Sequence, residues 1–113
     1  MTPPPSGIER IAAERARQLD VEGWTAKHDD AHLDGELAWA AVCYAAPEKV
    51  FVHNVYARSS GDAHAFADPW PFDEEWDKRE LTPTPEERIR QLEKAGALIA
   101  AEIDRLLRAA GGP

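Results

Sequence analysis

Residues 84–112 read TPEERIRQLEKAGALIAAEIDRLLRAAGG, and this stretch decides the fold. Thr84 offers a side-chain cap, and Pro85 lacks an N–H that a first helical turn would leave unpaired anyway. Glu86 and Glu87 place two carboxylates at the positive end of a helix dipole, and Arg105 and Arg108 sit near the negative end. Gly111 and Gly112 stop the run. Inside it, Ile89, Leu92, Gly96, Ile99, Ile103, Leu106 and Ala110 recur at alternating steps of three and four, an a/d stripe over about three heptads. Such a helix is about 39 Å long at ~1.5 Å per residue. That exceeds what the first helix of the chain covers. The stripe therefore predicts a bundle, or a homodimer or higher homo-oligomer, to bury the remainder.

Toward the N-terminus, Ser6-Gly7-Ile8-Glu9 has the spacing of a capping box. The helix it opens runs from about 7 to 20, with Ile8, Ile11, Ala12, Ala16 and Leu19 along one face. Pro3-Pro4-Pro5 is stiff, so residues 1–6 read as a disordered tail ahead of a single helical domain, 7–110. A second helix, capped by Asp29, Asp30 or Asp34, carries Leu33, Leu37 and the run Ala38 to Tyr44. It is apolar almost all round, which predicts a place at the centre of the core. Pro47 ends it. Residues 49–57 are β-branched and aromatic and read as a short strand or extended segment, which needs a partner strand, from another subunit if not from this chain. Arg58 to Ala67 reads as a mobile loop. Asp68-Pro69-Trp70-Pro71-Phe72-Asp73-Glu74-Glu75-Trp76 reads as a rigid segment whose aromatics pin a loop to the core. The expected fold class is mainly α: a small helical bundle of three main helices, with a short extended or β segment near 49–57 and a Trp/Pro-rich loop.

The 113 residues favour one domain, and 43% hydrophobic residues are enough to give it a core. No apolar run approaches the roughly 18 residues of a membrane span, and the first residues lack the pattern of a signal peptide, so a cytoplasmic location is expected. Cys43 is the only cysteine and reads as a small buried hydrophobe rather than a reactive thiol. A net charge of −8 speaks against general nucleic-acid binding, while leaving room for a small anion held by a local basic pocket. Acids are dense between residues 62 and 80, which read as a surface suited to a basic protein.

Two constellations could carry chemistry. His28, Asp29, Asp30, His32 and Glu36 form the densest polar group. His28 and His32, and His32 and Glu36, are four apart, the spacing of helical neighbours. His28, His32 and Glu36 could thus hold a divalent metal. The plainer alternative is that the aspartates cap the second helix and the histidines are ordinary surface residues. The second constellation is Glu22-Gly23-Trp24-Thr25. Gly23 allows close backbone approach, and Trp24 offers a flat face on which a base or sugar can stack. With His28 and the basic Arg10, Arg17 and Lys27 it would make a small-molecule pocket. The alternative is that Trp24 plugs the junction of the first two helices. No catalytic nucleophile, phosphate-cradling glycine loop or paired-cysteine motif is evident.

Glu14-Arg15, Arg17-Gln18, Glu22-Gly23-Trp24-Thr25, His28-Asp29-Asp30-x-His32, Gly35-Glu36-Leu37, Lys94-Ala95-Gly96-Ala97-Leu98-Ile99 and Ala101-Glu102-Ile103 together resemble a widespread set of small tailed-phage and prophage proteins. The resemblance spans most of residues 8–108 and implies a phage setting without an activity. Gly23-Trp24-Thr25, Asp29-Asp30 and His32 are also similar to the RyR domain, although Leu33 stands where that domain has proline after its histidine. That likeness implies nucleotide-derived ligands. The helical pattern is also similar to the MazG-type pyrophosphohydrolases, which hold magnesium with Glu-x-x-Glu and Glu-x-x-Asp. Here Glu93-Lys94-Ala95-Gly96 has glycine at the aspartate position, and no Glu-x-x-Glu is present. Three functions follow as expectations. The first is a phage accessory protein that binds a small nucleotide-derived ligand through Arg17, Trp24, Thr25, Lys27, His28, Asp29, Asp30 and His32, sequestering a host defence signal. The second is a metal-dependent nucleotide hydrolase using His28, His32 and Glu36. The third is an acidic inhibitor of a host factor.

Overall fold

The computed structural model describes residues 2–53 and 66–111. Four helices, α1 (Gly7–Asp20), α2 (Ala26–Asp30), α3 (Glu36–Ala45) and α4 (Pro85–Ala109), dominate. A two-stranded antiparallel sheet, β1 (Val52–His53) with β2 (Phe66–Ala67), and a 3-10 turn at Glu74–Trp76 complete the architecture. The fold is mainly helical, as the apolar periodicity requires. No helix among the described residues is long and apolar enough to cross a membrane.

Local chemistry accounts for the helix ends. The Ser6 hydroxyl accepts from Glu9 N at 3.2 Å, and Ser6 N donates to the Glu9 carboxylate at 3.0 Å. Thr84 and Glu87 repeat this reciprocal pair at the start of α4, with Pro85 in the first turn. Each box satisfies two donors that a helix otherwise leaves free.

The expected second helix is instead two. Thr25 caps α2 by accepting from His28 N at 3.3 Å, and α3 starts after Gly35, whose φ of 80° lies in the left-handed region. None of Asp29, Asp30 and Asp34 is the cap. The physical reason is that Asp29 is fully buried and occupied by the Arg15 guanidinium at 2.8 Å. α3 also buries one face rather than its whole circumference: Leu37, Ala40, Ala41, Cys43 and Tyr44 face inward, and Trp39 and Val42 stay exposed.

The core joins α3 to α4. Leu37, Ala40, Ala41 and Tyr44 pack on Ala95, Leu98 and Ala101, with Trp24, Ala45, Trp70 and Phe72 packed at the margin. Alanine at four of these positions lets the two helices pack closely. Arg88 fastens the end of α3: its guanidinium donates to the carbonyls of Tyr44 at 3.0 Å, Ala46 at 3.1 Å and Ala45. These are carbonyls that a helix terminus leaves without partners.

α1 meets α4 through polar groups and one close contact. Glu14 is buried and pairs with Arg90 at 2.6 Å, and Arg10 pairs with Glu93 at 2.6 Å. Ile11 lies over Gly96. The face of α4 turned to the core is thus Gln91, Ala95, Leu98, Ala101 and Arg105, and the a/d stripe lies outside it. Ile89, Leu92, Ile99, Ile103 and Leu106 are each between 44% and 52% exposed. The apolar face of α1 shares this fate: Ile8 is 82% exposed, whereas Glu14 and Gln18 are buried.

The strand expected near 49–57 exists at Val52–His53 and finds its partner within the chain, with Val52 opposite Ala67 and His53 opposite Phe66. Part of the expected mobile loop is therefore strand. Residues 54–65 lie outside the described residues.

A Cβ at Gly96 would sit 2.6 Å from Ile11 Cδ1 and 2.8 Å from Ile11 Cγ1. Alanine gains about 1 kcal/mol of helix propensity over glycine, but overpacking of this kind costs typically ~1–3 kcal/mol. Gly96→Ala is expected to lower the thermal midpoint, and Ile11→Ala in the same chain to reverse the loss. Thermal melts of the two single variants and the double variant check this.

Candidate functional site

The backbone between α1 and α2 sets the first wall of a cavity. Gly23 turns the chain with a φ of 73°, and Trp24 N donates to Gln18 O at 3.0 Å, which ties the indole to the end of α1. The Thr25 cap then orients α2 so that His28 stacks on Trp24, with ring centroids 5.8 Å apart and planes 5° from parallel. His32 meets His28 edge-on at 4.9 Å.

The second wall comes from residues 68–76. Asp68 accepts from Trp70 N at 3.0 Å, and the Trp70 indole donates to Asp73 O at 3.1 Å. Arg79 lies over the Trp70 ring at 5.3 Å and holds Asp68 at 2.7 Å and Asp77 at 2.6 Å. Phe72 contacts His32 at 5.2 Å and Trp70 at 5.8 Å, and Trp70 meets Tyr44 at 5.5 Å. The Tyr44 hydroxyl donates to Trp76 O at 3.4 Å, and Trp76 returns to Trp24 at 6.4 Å. Seven rings thus form a closed circuit around a cavity of about 340 Å³ whose lining includes Leu37, Ala40 and Leu98.

The histidines are held from behind. His28 Nδ1 lies 3.0 Å from Asp29 and His32 Nδ1 2.9 Å from Glu36. A carboxylate on Nδ1 fixes the ring and leaves Nε2 as the atom for a guest.

A second cavity of about 180 Å³ adjoins the first and shares Trp24, Tyr44, Trp76 and Leu98 with it. Its remaining lining is polar: Gln18 and the charged Glu14, Arg17, Glu22, Lys78, Arg90 and Lys94. Arg17 bridges Glu14 at 2.8 Å and Glu22 at 2.9 Å. Burial pushes the Glu14 carboxyl up, but the hydrogen bonds from Arg17 and Arg90 outweigh it and hold the group below the usual carboxylate range. Lys94 stands 5.5 Å from the Tyr44 ring, and neither it nor Lys78 has an ion pair among the described residues. Burial lowers the Lys94 amine, and the charges of Arg90, Arg17 and Lys78 lower it further. Cations crowded in a half-buried cleft favour an anionic guest.

The sequence-derived candidates divide. Trp24, His28 and His32 line the aromatic cavity, and Arg17 lines the adjoining cleft. Thr25 is occupied as the α2 cap. Lys27 is exposed and lines neither cavity, and Arg10 is engaged with Glu93. Asp29 is the buried anchor of Arg15 and His28, and Asp30 pairs with Arg108 at 2.8 Å on the surface. Glu36 binds the back of His32 instead of joining both histidines around one point. Among the described residues, no group of three His, Cys, Asp or Glu side chains converges as a metal site. Trp24 lines the cavity and also packs on the core, so its two readings describe one position. Trp70 and Phe72 likewise pin their loop to the core and wall the cavity. Tyr44, Asp73, Trp76, Lys78, Arg90 and Lys94 are site residues that the sequence reading did not single out as such. The alternation of proline and aromatics at 69–72 was the available signal for their segment. In the acidic stretch, Asp68 and Asp77 are occupied by Arg79, whereas Asp73, Glu74, Glu75 and Glu80 are exposed. Cys43 is buried, and burial pushes its thiol up.

Asp68 and Asp77 follow the logic of Glu14: burial raises each, and hydrogen bonds from Arg79 outweigh it and hold both low. A carboxyl whose folded value is depressed stabilises the fold above its unfolded value and loses that contribution as pH falls below it. Stability from these groups is therefore expected to hold above about pH 4.5 and to fall progressively below it. Glu14→Gln should flatten that acid limb. It should also cost about 1–2 kcal/mol at neutral pH, because Arg17 and Arg90, each about a third exposed, lose the Glu14 carboxylate and keep only Glu22 and Glu93. Denaturant unfolding at stepped pH measures both effects. No family model, curated protein sequence or solved structure matches this chain.

Proposed function

We propose that the protein binds a small nucleotide-derived ligand, with its planar ring in the aromatic cavity and its phosphate in the adjoining cationic cleft. The observation that carries this reading is the shared wall. The same four residues, Trp24, Tyr44, Trp76 and Leu98, bound both a ring-lined space and a cluster of lysines and arginines. A cavity of about 340 Å³ falls in the range of small-molecule sites. The indoles supply stacking, and the free ring nitrogens of His28 and His32 supply hydrogen bonds to a base edge. On a chain of net charge −8, a phosphate needs local cations, and of the four cations that line the cleft, Lys78 and Lys94 have no carboxylate partner among the described residues. The reading keeps Arg17, Trp24, His28 and His32 from the sequence candidates and adds Trp70, Phe72 and Lys94. In the phage setting that the sequence resemblance implies, holding such a molecule would withdraw a defence signal from the host cytoplasm.

A hydrolase is the second reading, favoured by the carboxylate-backed histidines, an arrangement that suits a general base. The same ligand panel separates the two, since hydrolysis yields product and sequestration does not.

Calorimetry of the full chain against nucleoside monophosphates, cyclic dinucleotides and ADP-ribose-type compounds tests the proposal, with unphosphorylated nucleosides alongside. At least one phosphorylated compound is expected to bind and to quench tryptophan fluorescence. Lys94→Ala should weaken that compound at least about tenfold and leave nucleoside binding unchanged, the loss of one charged contact. Trp70→Ala should weaken both. Absence of heat across the panel would overturn the proposal.

A further inference from the structure

The a/d stripe of α4 leaves a problem that the single chain does not solve. Ile89, Leu92, Ile99, Ile103 and Leu106 are half-exposed, and Leu107 beside them is 54% exposed. At about 100° per residue, the arc that carries them from residue 89 to 110 holds otherwise only alanine and Gly96. Ile11, seated on Gly96, joins this arc to the face of α1 that carries Ile8 and Leu19. The two faces thus form one apolar surface. Eight aliphatic side chains along it, Ile8, Leu19, Ile89, Leu92, Ile99, Ile103, Leu106 and Leu107, are each at least 40% exposed, and apolar patches of that kind mark interaction surfaces.

We infer that a second copy of this chain covers this surface, α4 against α4 and antiparallel. Three observations select a second copy. First, the arc on α4 carries no carboxylate on a chain with 21 acidic residues, so it is a face on which two like-charged copies can meet without repulsion. Second, the stripe is complementary to its own reverse. Antiparallel alignment sets Ile89 opposite Leu106 of the second copy and Leu92 opposite Ile103, and at the centre it sets Gly96, with Ile11 of its own chain seated on it, opposite Ile99. A parallel alignment would instead set Gly96 against Gly96. Third, the antiparallel arrangement opposes the two helix dipoles and brings the acidic first turn, Glu86 and Glu87, near the last turn with Arg108. The product is a four-helix layer, two copies of α1 and α4, with the aromatic cavities outside it.

Sedimentation velocity on the full chain tests this. The expected species has near twice the 12.5 kDa chain mass. Ile103→Asp places a charge at the interface and should raise the dimer dissociation constant at least about tenfold with helical circular dichroism unchanged. Oxidation of a Leu92→Cys, Ile103→Cys double variant provides a second measurement: efficient disulfide-linked dimers are expected, and Ile103→Cys alone should give few. A chain that sediments at 12.5 kDa throughout the millimolar range overturns the inference, as does a dimer indifferent to both substitutions. Efficient linkage through Ile103→Cys alone overturns the antiparallel arrangement. None of these residues lines either cavity, so ligand binding and self-association are tested separately.

Discussion

The alanine-lined contact between α3 and α4 is the constraint from which the rest follows. With Ala40, Ala41, Ala95 and Ala101 between them, the two helices pack with little side-chain bulk in the way. Small residues alone bury modest apolar area, so the contact is reinforced at its end by Arg88, which takes up the terminal carbonyls of α3. The large side chains of the core region, Trp24, Tyr44, Trp70, Phe72 and Trp76, are thereby left at its margin, where they enclose space instead of filling it. Interiors are close-packed wherever side chains can interdigitate, so an aromatic-walled cavity at the edge of a small domain reflects that geometry.

Charge is distributed by the same logic. The chain is acidic overall, yet its interior and clefts are organised around arginines. Arg15 meets Asp29, Arg17 and Arg90 converge on Glu14, and Arg79 gathers Asp68 and Asp77. Each cluster fixes a segment that bears on the cavity: α2 with its histidines, the end of α1 with Trp24, and the loop with Trp70. Removal of a buried carboxylate strands a guanidinium, which is why such clusters hold geometry even where their net contribution to stability is small. Lys78 and Lys94 stand apart from this arrangement, whereas Lys49 joins Asp68 at 3.5 Å. Lys94 is left half-buried against the Tyr44 ring with other cations near it, and it has no ion pair among the described residues.

α4 serves two apolar environments at once. One of its faces is small-residued and closes the core, and a separate face carries the bulky heptad stripe. Periodicity picks out the stripe but not the face that the core uses. A helix with apolar residues on both sides reads, in one dimension, as a single strongly amphipathic helix with small residues on its polar side. Alanines 95, 97 and 101 and Leu98 lie off the isoleucine stripe, yet they are residues that the fold buries.

What the sequence by itself determined is local. The starts of α1 and α4 follow from Ser6 with Glu9 and Thr84 with Glu87, because capping involves residues three apart and needs nothing from the rest of the chain. The mainly helical class and the extended character of Val52–His53 follow from propensity and period. The tertiary structure alone decided the rest: that Gly35 splits the expected second helix, that Asp29 turns inward to Arg15, that the core uses the alanine face of α4, and that Trp70, Phe72 and Lys94 reach the same site as Trp24 and His28. These depend on contacts between residues tens of positions apart. Burial and the pairing of charges settle such contacts only after the helices have packed, and no spacing along the chain encodes them.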